Sequence, residues 1–454
     1  MANSRKLHCR GTARRASTLT DRIAAQLAPL IPAHSSILIG LSGGADSVVL
    51  LHLLQQLAPR FFWRLSALHV HHGISPNADA WADFCAGFCA SYAIPLHIEQ
   101  VDIAPLRAHG IEAAARKLRH AAFARQACDF VALAHHADDQ AETLLLQLLR
   151  GSGVRGAAAM SLLADRGGSP KLLRPLLHCS RREILDYAAA QGLHWIEDES
   201  NADDSYPRNF LRHRVLPLLE QKFPACRATL ARSAQHFAEA SSLLDDLAQQ
   251  DAAQAIHADT LAVAALQALS LPRAKNLLRY FLHSVGAPMP QTVQLDDMLR
   301  QLCGARQDAA VCIAYGDCEV RRYRARVYVL CAPGEFDRHL VLPWQGETEL
   351  DWPALHCRVT FQRRIGQGIS LEKLQRAPVT LRVRQGGETL RPKPDAATRT
   401  LKNLLQEHHI PPWRRDRLPL LYCGEELVCV PGVAIAAEYQ ASADEAAISV
   451  CLLR

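Results

Sequence analysis

The sequence predicts an α/β fold, a parallel sheet with helices on both faces, followed by a helical domain and a small α+β C-terminal domain. Three observations predict it. Residues 36–150 alternate short apolar runs with helical patterns, the rhythm of βαβ units. The first run, Ile37-Leu38-Ile39-Gly40-Leu41, passes straight into Ser42-Gly43-Gly44-Ala45-Asp46-Ser47 and then into a helical apolar pattern. From about residue 221 the chain becomes Ala/Leu-rich and helical, with strand alternation returning after 310.

In order, strands are expected over 36–41, 65–70, 96–101 and 130–134, and helices over 46–57, 77–92, 111–127 and 138–150. Shorter elements continue to Arg212-His213-Arg214-Val215-Leu216-Pro217. Helices then run to about 306, broken at Pro272 and Gly286-Ala287-Pro288, and 310–330 alternates as strand. The stretch 333–353 reads as a linker. Beyond it, strands near 356–361, 379–384 and 427–431 and a helix near 400–408 make the α+β unit. The expected organisation is a basic, disordered tail over 1–20, an α/β domain over 21–220, a mainly helical domain over 221–340 and an α+β domain over 354–454.

A chain of 454 residues, 49% apolar, is long enough for two or three cores. No run approaches the roughly 18 apolar residues of a membrane helix. The 14 cysteines form no CxxC pair, and Cys85 and Cys89 are the closest two. This speaks against a zinc ribbon or an iron–sulfur signature and for reduced thiols of a cytoplasmic protein. The net charge of +6 is uneven: residues 1–20 carry five basic groups and no acid, and residues 363–417 carry 13 basic and 5 acidic groups. Of the 51 basic residues only eight are Lys. Arg forks bind phosphates and stack on bases. Trp413 among Arg414, Arg415 and Arg417, with Arg382, Arg384, Arg391 and Lys402, suits a nucleic-acid surface.

Gly43 and Gly44 let the backbone approach an anion, and the unpaired amides of the next helix point at it. A pyrophosphate-sized group fits this loop. It is not a Walker loop, since no Lys follows a Gly. Ligands of open α/β sheets lie at the carboxyl ends of the strands, and polar clusters follow the strands here: His69-Val70-His71-His72, and His135-His136-Ala137-Asp138-Asp139-Gln140-Ala141-Glu142. Arg116 and Arg119 share the third helix, and Arg208 lies in Pro207-Arg208-Asn209-Phe210. Adjacent His-His on a helix start is poor zinc geometry. Asp139 and Glu142, at i and i+3, can face one cation, a hard metal or an ammonium. The competing structural reading is N-capping by Asp138 with dipole-favoured acids behind it.

These motifs carry a resemblance. Ser-Gly-Gly-x-Asp-Ser after a strand resembles the loop of the ATP-pyrophosphatase superfamily, whose fold is adenine nucleotide α-hydrolase-like and whose members cleave ATP between the α and β phosphates. The series Ser42 to Ser47, His69-Val70-His71-His72-Gly73, Glu112 to Arg116, Ala134 to Thr143, Leu148 to Gly153, Arg174-Pro175-Leu176-Leu177 and Arg208-Asn209-Phe210-Leu211-Arg212 looks like the tRNA(Ile)-lysidine synthetase family. Leu381 to Glu388, Thr400 to Glu407 and Pro411 to Tyr422 resemble the C-terminal domain of its longer, three-domain form.

The resemblance implies ATP-dependent ligation of L-lysine to C2 of the wobble cytidine of tRNA(Ile) with anticodon CAU. An adenylated tRNA is the intermediate, and AMP and pyrophosphate are released. It also implies that the helical and C-terminal domains bind tRNA. Ser42, Gly43, Gly44, Ala45, Asp46 and Ser47 would bind ATP, and Asp46 and Asp139 would hold Mg2+. Arg116 and His135 would stabilise charge at the α-phosphate. Asp139 and Glu142 would hold the lysine ammonium or the metal, and Arg208 the lysine carboxylate or a phosphate. A homodimer is compatible with the sequence but not fixed by it. Two rivals remain: an ATP-dependent tRNA thiolation enzyme, which would need a persulfide cysteine or an iron–sulfur cluster, and a non-catalytic RNA-binding protein.

Overall fold

The computed structural model describes residues 18–71, 73, 75–102, 111–165, 170–306, 309, 311–331, 337–355 and 357–453. The chain divides into two compact units, Met1–Asp246 and Leu247–Arg454. Residues 1–17, most of the expected basic tail, lie outside the described residues.

In the first unit α1 (Leu19–Leu27) opens with a capping box between Thr18 and Asp21. There follow β1 (Ser36–Gly40), α2 (Ala45–Phe61), β2 (Arg64–His71), α3 (Ala78–Ser91), β3 (Leu96–Gln100), α4 (Ile111–Ala124), β4 (Phe130–Ala132) and α5 (Ala137–Leu149). Then come α6 (Val154–Ala157), β5 (Leu163–Ala164), β6 (Lys171–Leu173), α7 (Arg181–Ala190), α8 (Pro207–Phe210), a π turn over Leu211–Val215, α9 (Leu216–Lys222) and the long α10 (Cys226–Ala255). The six-stranded sheet runs β3-β2-β1-β4-β6-β5, parallel except for the last pair.

Both faces of β1 are covered. Ile37 and Ile39 pack with α1, α2 and α7 residues such as Leu27, Leu51 and Ile184, whereas Leu38 packs with Ala122 and Phe123 of α4. Burial on both faces explains why the strand is continuously apolar rather than alternating. Helix α2 is buried from Val48 to Leu54, so it is apolar nearly all round. The strand order reverses direction at β1: β2 and β3 lie to one side, β4 and β6 to the other. The loops after β1 and β4 therefore diverge, and the gap between them is where a ligand fits.

The second unit takes in the end of α10 and a five-stranded antiparallel sheet, β7 (Ile256–His257), β8 (Thr260–Ala262), β11 (Arg326–Cys331), β10 (Cys318–Tyr323) and β9 (Cys312–Tyr315), in that spatial order. It packs on α11 (Val263–Ala268), α12 (Leu271–Ser284) and α13 (Thr292–Gly304) around Leu277, Phe281, Leu295 and Met298. The stretch 256–262, read from the sequence as helical, instead supplies two strands. It ends α10 and pairs with β11, because Leu261 is needed in the core between sheet and helices.

The remaining elements are β12 (Leu342–Trp344), β13 (Glu349–Trp352), β14 (Cys357–Ile365), β15 (Ile369–Ser370), α14 (Leu371–Leu374), β16 (Val379–Val383), β17 (Thr389–Leu390), β18 (Arg399–Thr400), α15 (Leu401–Glu407), α16 (Pro412–Arg415), β19 (Pro419–Cys423), β20 (Glu426–Val430), β21 (Ala434–Ile435) and β22 (Ala446–Leu453). They form sheets β12-β16-β19-β20-β21 and β13-β14-β22-β15, which share a core of Trp352, Val359, Leu381 and Leu421. The expected linker over 333–353 is corrected here: 342–344 and 349–352 are edge strands, and Trp352 is buried.

Candidate active site

The loop after β1 is built by its own hydroxyls and by its neighbours. The Ser47 Oγ–H donates to the Gly44 carbonyl at 2.9 Å, and the Ser42 N–H donates to Ser47 Oγ at 3.2 Å. The Ile196 N–H holds the Gly43 carbonyl at 2.9 Å. Gly43 has φ +89°, which favours glycine, and a Cβ there would lie 2.6 Å from Ile196 Cδ1 and push that methyl aside. Gly44 is different. Its φ of −71° suits any residue, and a Cβ would meet nothing closer than Ser42 Oγ at 3.6 Å. Gly44 is the N-cap of α2, and no side chain caps the helix. The first-turn amides are thus left for an anion.

Ser42, Gly44, Asp46 and Ser47 line a cleft of about 730 Å³ together with His69, Arg116, Arg119, His135, Asp139, Arg208 and Arg212. The residues that sequence reasoning gathered for catalysis and ATP binding thus share one cleft or its wall. Gly43 and Ala45 sit in the loop itself, and Glu142 lies behind Asp139. His72 lies outside the described residues. His71 turns to Asp79, with Nε2 3.0 Å from Oδ1.

The start of α5 is organised by charge. His136 is its N-cap, and its backbone N–H donates to Asp139 Oδ2 at 3.0 Å. The capping acid is therefore Asp139, not Asp138. Asp138 instead accepts the Arg181 N–H at the start of α7 (3.0 Å) and pairs with Arg227 at 3.3 Å. His136 Nε2 lies 3.6 Å from Asp46 Oδ2 and 3.5 Å from Asp139 Oδ2. Burial works against a charged imidazole, but Asp46, Asp139 and Asp138 outweigh it and raise its pKa. Burial likewise opposes the Asp46 carboxylate, and His136, Arg181 and Arg212 overcome it, so its pKa falls. Asp46 Oδ1 is buried and has no hydrogen-bond partner among the described residues. His135 is the opposite case. Burial, then Arg174, Arg208, Arg119 and Arg116, hold its pKa well below the usual value, so it is neutral.

Asp139 and Glu142 do face cations, but the cations are the chain's own. Glu142 is fully buried and accepts from Arg208 Nε at 2.7 Å, Arg212 Nε at 2.6 Å and Arg212 Nη2 at 2.9 Å. Asp139 Oδ1 lies 3.3 Å from Nη2 of both arginines. The π turn follows α8 at Leu211 and places Arg212 beside Arg208 on the same carboxylates. Sequence reasoning did not assign Arg212 a role. The available signal was the i, i+4 spacing of the two arginines in Arg208-Asn209-Phe210-Leu211-Arg212. Arg212 also borders a second cavity of about 340 Å³, lined by His136, Asp138, Glu142, Arg181, His213 and Arg227.

Family models match three segments: a PP-loop domain over 16–219, a TilS substrate binding domain over 261–328 and a TilS substrate C-terminal domain over 379–452. A tRNA(Ile)-lysidine synthase of Nitrosomonas europaea is 42% identical, covering 93% of each chain. One from Aromatoleum aromaticum is 43% identical over 94% of this chain and 98% of its own. The chain belongs to the tRNA(Ile)-lysidine synthase family. It is an enzyme with a PP-loop ATP-pyrophosphatase fold. The Coxiella burnetii synthase is 38% identical over 91% of this chain. Among solved structures, a U34-tRNA thiolase from Methanococcus maripaludis is 21% identical, covering 49% of this chain and 78% of its own, with a TM-score of 0.42.

In this lysidine synthase family member the basic cluster of the second unit is less open than its composition implies. Arg382 pairs with Glu425 at 2.9 Å and lies over the Tyr422 ring. Arg384 faces Glu388 and Asp416, and Arg391 pairs with Glu438. Arg414 pairs with Asp259 of the β7–β8 turn, and Arg415 is buried, giving its Nε–H to the Ile410 carbonyl at 2.9 Å. Trp413, expected as a base-stacking platform, is packed edge-on against Tyr323 and Tyr328 with Arg321 over its ring. Arg417 is half-buried. Lys402, Arg363 and Arg364 are exposed. Among the described residues no helix is long and apolar enough to cross a membrane.

Proposed function

We propose that the chain joins L-lysine to C2 of the wobble cytidine of a CAU-anticodon tRNA(Ile), in two steps in the 730 Å³ cleft. In the first, the cytosine O2 attacks the α-phosphorus of ATP, the bond to the β-phosphate breaks and pyrophosphate leaves. In the second, the lysine amine attacks C2, the C2–O2 bond breaks, AMP leaves and the amine gives up a proton. The observation that carries the reading is the uncapped start of α2 at Gly44, facing the same cleft as Asp46, His135, Asp139 and Arg208 at the reversal of the sheet.

The loop from Ser42 to Ser47 and the α2 amides receive the β and γ phosphates. Arg116 faces the same cleft and supplies positive charge where it builds up at the α-phosphorus. Neutral His135 accepts or passes a proton without adding charge there. Asp46 Oδ1, buried and without a hydrogen-bond partner among the described residues, is the oxygen that fits Mg2+, which commonly takes one or two carboxylates plus substrate phosphates. Bound there, the ion would neutralise the leaving pyrophosphate. Both Asp139 oxygens accept hydrogen bonds or face arginine, so Asp139 joins a metal or the lysine ammonium only by releasing one of those contacts. Arg208, once freed, offers its fork to the lysine carboxylate. Exposed Arg363, Arg364 and Lys402 contact tRNA phosphates.

The test is incubation with ATP, labelled lysine and unmodified tRNA(Ile). Label is expected in the RNA, with one AMP and one pyrophosphate per lysine. ATP turnover without incorporation of lysine overturns the reading. The thiolation alternative needs a persulfide-forming cysteine or an iron–sulfur cluster at the cleft, and among the described residues no cluster of three or more His, Cys, Asp or Glu could hold a metal. Cys85 lies nearest the loop, but burial pushes its thiol to about 12, and that of Cys89 to about 11, which makes both packing residues rather than nucleophiles.

A further inference from the structure

We propose that His69 is a positioning residue for the nucleotide: its imidazole locks the entrance of the phosphate loop by holding the Leu41 carbonyl. The inference rests on the reading of that loop as the ATP site and assigns a role to a residue the mechanism leaves idle.

His69 is 5% exposed and sits near the end of β2. Its Nδ1 lies 2.9 Å from the carbonyl oxygen of Leu41. A carbonyl only accepts, so Nδ1 carries the proton. The preceding residue, Leu68, accepts the Leu41 N–H at 3.0 Å. Strand β2 thus grips both polar groups of Leu41, the last residue before Ser42, although β1 ends at Gly40. On the other side of the turn the Ile196 N–H fixes the Gly43 carbonyl. The two anchors bracket Ser42 and Gly43 and set the direction in which the backbone enters α2. Cys85 fills the space between them: its Sγ lies 3.5 Å from His69 Nδ1 and 3.4 Å from the point a Gly43 Cβ would occupy.

A carbonyl held by the imidazole is one that cannot turn toward the phosphate. Without the imidazole donor, Leu41 has no buried partner for its oxygen among the described residues, and the peptide is free to rotate toward the anion. Protonation would add a charge in a site where burial, against the opposing Leu41 bond and with a smaller push from His71, lowers the His69 pKa, so the donor is present in the neutral form.

The variants that separate this role from plain packing are His69→Asn, whose amide N–H reaches the place of Nδ1, His69→Gln, whose amide reaches the place of Nε2, and His69→Leu, which fills space and donates nothing. Each full-length protein is titrated with a non-hydrolysable ATP analogue, and KM for ATP and for lysine are measured. Leu and Gln are expected to bind the analogue roughly tenfold more weakly, the scale of one lost hydrogen bond with its unpaired acceptor. Asn is expected to recover most of that loss, and KM for lysine to stay near wild type in all three. Equal affinity in the Leu variant overturns the inference, as does an Asn variant no better than Leu. If the Leu variant does not fold, the Asn and Gln pair decides in the same way. A wild-type protein that fails to bind the analogue overturns the ATP reading instead.

Discussion

Arg212→Ala tests whether the buried carboxylates are held by the network described. The substitution removes the Nε and Nη2 contacts to Glu142 at 2.6 and 2.9 Å and the 3.3 Å contact to Asp139. Glu142, with no exposed surface, is then left with Arg208 Nε alone at 2.7 Å. Breaking one side of a buried ion pair costs about 3–5 kcal/mol. The Arg212 side chain is 21% exposed and Arg208 remains, so the low end applies, about 3 kcal/mol. For a unit of this size that lowers its Tm by roughly 6–12 °C. Calorimetry of the full chain reads it, the relevant transition being the one an ATP analogue raises. Arg212→Lys keeps the charge but not the fork, and should recover part of the loss. A double-mutant cycle with Glu142→Gln should give a coupling above about 1 kcal/mol. A Tm within about 1 °C of wild type, or additive effects of the two substitutions, would refute the reasoning.

Asp139→Asn should keep the fold, at a cost of about 1–2 kcal/mol for the weakened cap and arginine contacts, while lysine incorporation falls by at least about a hundredfold; wild-type turnover in a folded variant removes Asp139 from the site. Gly43→Ala should abolish binding of an ATP analogue and destabilise by about 1 kcal/mol or more, since φ is +89° and an L side chain there is strained. Gly44→Ala should be tolerated by the backbone, so that calorimetry separates the two glycines; equal effects at both would show that the loop geometry is misassigned. Replacing Arg363, Arg364 and Lys402 with Gln should weaken tRNA binding and flatten the dependence of log K on log salt by roughly 0.7–0.9 per lost phosphate contact. An unchanged slope would place the RNA elsewhere. Cys85, its thiol held near 12, should resist alkylation at pH 8 in the native protein and react only in denaturant. Rapid native labelling would reopen the thiolation reading.

Much of the fold was legible because its signals are local. The apolar run of β1, the paired glycines and the acids behind them lie close together, and the short run, its stop at the glycines and the longer apolar stretch beyond separate strand from helix there. The βαβ rhythm announced a parallel sheet with helices on both faces, whereas the strand order that opens the cleft at β1 is read only from the structure. Where an element is short, the signal failed: β12 and β13 were hidden by the proline and glycine around them, and β7 and β8 by the Ala-rich helix before them, because pairing with distant strands, not propensity, makes them strands.

The sequence by itself determined which residue types stand at the strand ends, and that the chain carries a phosphate loop, a carboxylate-rich helix start and a basic C-terminal region. Tertiary structure alone decided whom they meet. Glu142 meets Arg208 and Arg212, 66 and 70 residues away. Leu41 meets His69, 28 residues on, and Trp413, half-buried, packs against Tyr323 and Tyr328. The physical reason is that a buried charge or polar group must be satisfied, while many partners of the right type exist along the chain. Composition supplies the candidates; only the packing of helices on the sheet brings one of them within 3 Å.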